Sequence, residues 1–466
     1  MEVWKLRKLQ KTREPGYHQR DSVEHEGYDG AHSNFRGEIS HQNGVHLFEK
    51  ILSRNNLNQA FLQVVRNKGA AGVDGMTYDQ LLPYLKEHKE ELLNSLRNGI
   101  FRPKPVLRVE IPKPNGGVRK LGIPTVIDRM IQQAINQVLQ PIFDPTFSEN
   151  SFGFRSKRSA HQAIMRAKSY YEQGYKYVVD IDMKAYFDTV NHDKLMYFVE
   201  QKIQDKRVLK LIRMYLTSGI MVNGLFETSE EGTPQGGNLS PLLSNIYLNE
   251  FDKLLTKRGH KFVRYADDCN IYVKSKRAGY RVMSNSIKFL EKELKLTVNR
   301  EKSAVGSPLK RKFLGFCIIP MKYGVKIRPH QQAKLSVKQK LRKLTKRNRG
   351  RNIELILKQI KQLMTGWINY YGISVMKSFM KELNGWLKRR LRQYIWKQWK
   401  KPRTRYKNLI RLGIDEPKAY EWSNTRKGYW RISASYILHR SLTDEKLAQL
   451  GYMDISEKYQ FVHSNY

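Results

Sequence analysis

A chain of 466 residues with 40% apolar content is long enough for two or three domains with real cores, which excludes a disordered protein. Its 85 basic residues against 43 acidic ones leave a formal charge of +42, a self-repulsion that a polyanion would relieve, and nucleic acid is the simplest such partner. With no apolar run of about eighteen residues and no signal-peptide pattern, a membrane is not an expected partner, and two cysteines without a Cys-x-x-Cys pair exclude a zinc ribbon.

Residues 1–45 are polar and aperiodic, with a basic start, and are expected to form a flexible extension. From His46 the pattern turns helical: Leu47, Ile51, Leu52, Leu57, Ala60, Phe61, Val64 and Val65 recur at three- and four-residue intervals. The Gly-punctuated loop NKGAAGVDGMTYDQL then leads to another helix. Two short strands over 106–111 and 118–123, joined by Pro-Asn-Gly-Gly, read as a hairpin. Lys113 and Arg119 straddle its turn, where charge also suits a solvated edge. SFGFR at 151–155 opens the helix HQAIMRAKSYYEQ.

The segment YVVDIDMKAYFD, 177–188, is a short apolar strand interrupted by Asp180 and Asp182, followed by a turn and a helix beginning near Asn191. EGTPQGGNLSPLLSNIYLNEFD, 231–252, joins a Gly-rich stretch, in which backbone can approach a ligand closely, to an apolar helix. KFVRYADDCNIYVKS, 261–275, alternates with period two on both sides of Asp267 and Asp268, so a hairpin closed by the Asp-Asp pair is expected. Adjacent like charges at a hairpin tip call for a cation, and oxygen-only ligation is what Mg²⁺ prefers. Two-metal phosphoryl transfer needs acids from more than one backbone segment, and the 177–188 strand, with Asp180 and Asp182, supplies a candidate third. A helix over 278–294, the stretch LTVNREKS with Lys302, and the strand-like FLGFCII at 313–319 complete this half.

From Arg328 the composition changes. Residues 331–410 hold 23 basic residues against Glu354 and Glu382, about half the net charge, along helical apolar ridges interleaved with Trp367, Tyr370, Tyr371, Trp386, Tyr394, Trp396 and Trp399. Most of these aromatics are expected in a helical core, although such rings also stack on bases. After Pro402 the pattern shortens, with NTRKGYWRISASYILHRSL as the clearest block of a small basic module.

In order and spacing from about Asn56 onward, these motifs resemble group II intron-encoded reverse transcriptases and maturases of the compact type lacking an endonuclease domain. The resemblance implies an α+β right-hand polymerase: fingers and an antiparallel palm over 46–325, with 46–100 a lid over template RNA, an α-helical thumb over 326–402 carrying GWINYYG, and a DNA-binding module over 403–466. It implies that Asp182, Asp267 and Asp268 are catalytic and, with the backbone carbonyl of Met183, hold two Mg²⁺ ions, for which Mn²⁺ can substitute. Lys113 and Arg119 would then neutralise the incoming triphosphate, Phe187 would be the steric gate against a ribose 2′-OH, Gln235 would contact nucleotide and template, and Lys302 would protonate departing pyrophosphate. Asp180 is assigned to structure, and FLGFCII to the primer grip. The implied partners are intron RNA, an RNA template with a DNA primer, deoxynucleotides and target DNA, in the bacterial cytoplasm or nucleoid. Without a nuclease the primer would come from elsewhere, such as a replication fork.

Three rival readings stay open: a reverse transcriptase of the same fold in phage defence or diversity generation, a maturase that binds RNA without polymerising, and an RNA-dependent RNA polymerase. GWINYYG counts against the first, the three acids against the second, and Phe187 against the third.

Overall fold

The computed structural model describes residues 46–112, 116, 118–222, 224–228, 231–233, 236–322 and 324–466. Residues 1–45, read above as an extension, lie outside these. The N-terminal helices α1 (Leu47–Leu52), α2 (Arg54–Asn67) and α3 (Leu81–Arg97) send their apolar faces, including Phe48, Ile51, Val64 and Leu93, into the largest core. The expected hairpin forms from β1 (Val106–Pro112) and β2 (Val118–Ile123), and α4 (Val126–Phe143) follows behind a Thr125 cap. Then come α5 (Ala160–Glu172), opened by a Ser159–Gln162 capping box, and β3 (Tyr177–Ile181). Asn191 caps α6 (His192–Glu200) by accepting the Lys194 N–H at 2.9 Å, where the sequence placed that helix start.

After α7 (Lys206–Leu216), β4 (Ile220–Val222) and β5 (Leu225–Glu227) form a small hairpin that sequence periodicity missed because each strand has three residues. Strand β4 pairs in parallel with β1, so the fingers sheet has the order β2-β1-β4-β5. Helix α8 (Ser240–Lys257) leads to β6 (Lys261–Tyr265) and β7 (Asp268–Val273), then to α9 (Lys276–Lys292) and β8 (Ala304–Gly306). The resulting palm sheet, β6-β7-β3-β8, is antiparallel throughout. One face, through Val179, Ile181, Phe262, Cys269 and Ile271, enters the largest core; the other, through Val178, Val263 and Tyr272, joins a smaller core with α5. Alternate residues thus enter different cores, as the period-two pattern implied, but both faces are buried and burial along β6 and β7 is continuous.

The hairpin of β9 (Phe316–Met321) and β10 (Gly324–Pro329) extends that smaller core, so the expected boundary at 325/326 cuts through a strand. Helices α10 (Gln331–Leu344), α11 (Ile353–Tyr371) and α12 (Lys377–Gln398) share a third core with six short helices between Pro402 and His463. The expected break near 402 therefore separates elements but not cores. Tyr452 donates to Asn384 Oδ1 at 2.6 Å, Tyr459 donates to the Ser374 carbonyl at 2.9 Å, and Lys388 pairs with Asp444 and Asp454 at 2.7 and 2.8 Å. Tyr394 and Trp396 are buried, as expected of core aromatics. No helix among the described residues is long and apolar enough to cross a membrane.

Candidate active site

Strands β6 and β7 pair Tyr265 with Asp268, so the hairpin turn is Ala266-Asp267, one residue earlier than the Asp-Asp turn the sequence suggested. Ala266 adopts a φ of 55°, uncommon for a residue with a Cβ, and its surroundings hold it there. Arg264 Nη1 donates to the Ala266 carbonyl at 2.9 Å, and Gly153 of SFGFR approaches so closely that a Cβ would collide with the Ala266 nitrogen. The rest of the Arg264 guanidinium grips Asp252 through bonds of 2.6 to 3.0 Å and Asn245 Oδ1 at 3.0 Å, both on α8. Arg264 and Asp252 are each 0% exposed. An arginine at a core-facing strand position was the one legible sign of this network, because a buried cation requires a buried acid.

The pairing of Ile181 with Cys269 places the next residue, Asp182, opposite Asp268. Asp182 is pinned through its main chain: its N–H donates to Ser303 Oγ at 3.0 Å, and its carbonyl accepts the Asn299 N–H at 2.8 Å. The bridge between Met183 and Val298 is closed by that bond and by the Lys184 N–H to the Thr297 carbonyl at 2.8 Å, leaving the Met183 carbonyl oxygen outside it. Asp180 accepts from Arg311 at 3.4 Å, which suits the structural assignment made for it. Lys302 Nζ lies 4.0 Å from Asp182 Oδ2.

The charges of these acids act on one another across the two strands. Burial raises the Asp267 carboxyl and Asp182 raises it further, while the charges of Arg119, on the fingers hairpin, and of Arg264 pull it down. Asp268 is pushed up to about 7 by burial and then by Asp267, Asp180 and Asp182. Its side chain nevertheless stays open to water on one side, so the repulsion among the acids is the firmer cause. Among the described residues no three acidic, His or Cys side chains close into a ready-made metal cage. Hard oxygen donors that repel one another, open to solvent, still fit a divalent cation that keeps water or substrate oxygens in its shell.

Phe187 stands in a short 3-10 turn, Tyr186–Asp188, entered through Ala185 at φ 47°. The Thr233 N–H donates to the Phe187 carbonyl at 2.6 Å, Arg108 of β1 pairs with Asp188 at 3.5 Å, and the Phe187 ring meets Tyr186 edge-on at 5.2 Å. Gly232, at φ 92°, presses against this turn: a Cβ there would stand 2.8 Å from the Phe187 carbonyl oxygen. Gly174 has the same φ with nothing within 4 Å of its Cβ direction. Gly232→Ala should therefore destabilise the fold by about 1–3 kcal/mol more than Gly174→Ala in denaturant unfolding, and equal losses would refute the close-packing argument. Lys113 and Gln235 lie outside the described residues.

Residues 111–318 match the family model of the reverse transcriptase (RNA-dependent DNA polymerase), and residues 334–413 match the group II intron, maturase-specific domain. The chain is 35% identical over 289 residues to protein YkfC of Escherichia coli, a match covering 53% of this chain and 76% of that one. It is 36% identical over 247 residues to the group II intron-encoded protein LtrA of Lactococcus lactis, covering 53% of this chain and 40% of LtrA. A 91 kDa protein in a cob intron of Schizosaccharomyces pombe is 34% identical over 190 residues, 41% of this chain and 22% of that one. The matched stretches thus span less than half the length of the last two relatives.

Proposed function

Because the chain belongs to the family of group II intron-encoded reverse transcriptases with a maturase-specific domain, we propose that it copies RNA into DNA at a site built on Asp182, Asp267 and Asp268, and that it binds and helps to splice its own intron RNA before copying it at a new DNA target. The observation that carries the site is the register of β3 with β7, which sets Asp182 opposite Asp268 at the end of the hairpin whose turn holds Asp267. Enzymes of this family use divalent metal ions, and Asp182, Asp267 and the Met183 carbonyl, with Asp268 assisting, would hold two Mg²⁺ or Mn²⁺. Bound there, such ions acidify a primer 3′-OH and neutralise a triphosphate.

The protein's own groups would orient the reactants. Arg119 and Lys113 take the triphosphate from the fingers hairpin; the pull of the Arg119 charge on Asp267 supports the first, and the sequence alone supports the second. Lys302 would give a proton to departing pyrophosphate, a role its 4.0 Å approach to Asp182 supports. Gln235 would contact nucleotide and template. The β9–β10 hairpin would grip the primer, backed by Tyr370, whose hydroxyl donates to the Leu314 carbonyl at 2.9 Å. The intron RNA, target DNA and a bacterial cytoplasmic or nucleoid location rest on the family.

Phe187 serves as the gate against ribose. Its main chain is fixed by Thr233 and Gly232, which sets the point from which the ring projects. Phe187→Ala should raise ribonucleotide incorporation relative to deoxynucleotide by at least about tenfold in kcat/KM, with deoxynucleotide addition largely kept. An unchanged ratio would remove Phe187 from the selection. The broader test is extension of a DNA primer annealed to a structured RNA, in Mg²⁺: no synthesis by the folded protein would leave an RNA-binding scaffold.

A further inference from the structure

Between the C-terminal half of α10, the loop after it and the middle of α12 lies an open cavity of about 620 Å³. Five cations line it, Arg342, Lys343, Lys346, Arg347 and Arg390, and no carboxylate does. The end of α10 accounts for some of this charge, since cations favour a helix C-terminus. It does not account for Arg390, which comes from α12 and is locked in place. Its Nε donates to Thr345 Oγ1 at 2.6 Å, its Nη2 donates to the Thr345 and Arg342 carbonyls at 3.0 and 3.2 Å, and its guanidinium lies 5.2 Å from the Trp386 ring. A fixed guanidinium beside a second one, without an acid, is a site waiting for an anion.

The walls also carry amides: Gln339, Asn348 and Gln393. Gln393 is 8% exposed and makes no side-chain hydrogen bond to another described residue, so its donors and acceptor are left to whatever enters. Phosphate contacts alone position a nucleic acid, whereas amides read base edges. A duplex backbone lies against a surface and needs no cavity, while an unstacked base needs a recess and stacks on guanidinium planes. The volume falls within the roughly 300–1,000 Å³ of small-ligand sites.

We propose that this cavity receives one unstacked nucleotide of a structured RNA, its flanking phosphates held by the five cations and its base edge read by Gln339, Asn348 and Gln393. This rests on the reading of the chain as an intron-RNA-binding reverse transcriptase and adds the RNA feature that is read.

The test uses the full chain and a library of RNA hairpins with a fully paired stem and a randomised five-nucleotide loop, against an RNA duplex and a DNA hairpin library of matching length. The parent should prefer a subset of RNA loops over the duplex by about tenfold or more, with one loop position restricted to one or two bases. Gln393→Ala should lose that base restriction while keeping affinity for the pool within about threefold. Arg342→Ala with Arg347→Ala should weaken all loops by about tenfold or more and reduce the salt dependence by about two counterions. Primer extension on an oligo(dT)-primed poly(rA) template should stay within about twofold for each variant, and circular dichroism should report an intact fold. Equal binding of duplex and loops, equal selection of DNA loops, a base restriction that survives Gln393→Ala, or loss of primer extension in parallel with loop binding would each overturn the proposal. Since the parent's primer extension is read separately, failure of the polymerase reading cannot be mistaken for failure of the cavity.

Discussion

Replacing Asp267 with Asn is expected to slow primer extension by about a thousandfold or more while leaving RNA affinity within about twofold. The substitution keeps the shape of the side chain and removes one charge from a group of acids in which Asp267 and Asp268 are held above the usual carboxylate range by burial and by their acidic neighbours. If the carboxylate exists to hold a cation, losing it removes activity and also relieves repulsion in the unliganded protein. The Asp267→Asn variant should therefore match or exceed the parent in thermal stability, a pairing that a folding defect does not produce. Asp182→Asn should behave alike, and the double variant should be little worse than either single one, because groups that act as a unit are not additive. A variant at Asp267 that polymerises as fast as the parent would remove the catalytic assignment.

The second large effect concerns stability. Arg264→Met should cost about 3–5 kcal/mol in urea unfolding, because it leaves the Asp252 carboxylate buried without its cation. Asp252→Leu should be destabilising for the mirror-image reason. The double replacement, with apolar groups in place of both charges, should recover most of the loss. Activity should not recover with it: Arg264 also donates to the carbonyl of Ala266, and without that bond the left-handed turn that presents Asp267 loses a support. A double variant that is both stable and fully active would mean that the network serves the core alone.

The palm was readable because its information is local. Alternation around 261–275 and 177–188 specifies which residues face the core, and the paired strands reproduce that alternation residue by residue. The Asn191 cap is likewise a short-range signal. The exact turn was not readable: Ala266-Asp267 replaces Asp-Asp because Gly153 and Arg264, more than a hundred residues apart, force Ala266 into a conformation its own side chain disfavours. Nor was the single core beneath α11, α12 and the last six helices, since it depends on long-range pairs such as Tyr459 with Ser374 and Lys388 with Asp454.

By itself the sequence pointed to a polyanionic partner, through charge, and singled out the acids of the proposed site, through a motif order that admits few folds. Only the tertiary structure decided which of those acids face one another, what holds the turn beneath them, and where a fixed guanidinium and the Gln393 amide share a recess. The physical reason is one of range. Periodicity and capping act over a few residues, whereas a buried charge, a close backbone approach and a cavity are each made by segments that meet only after folding.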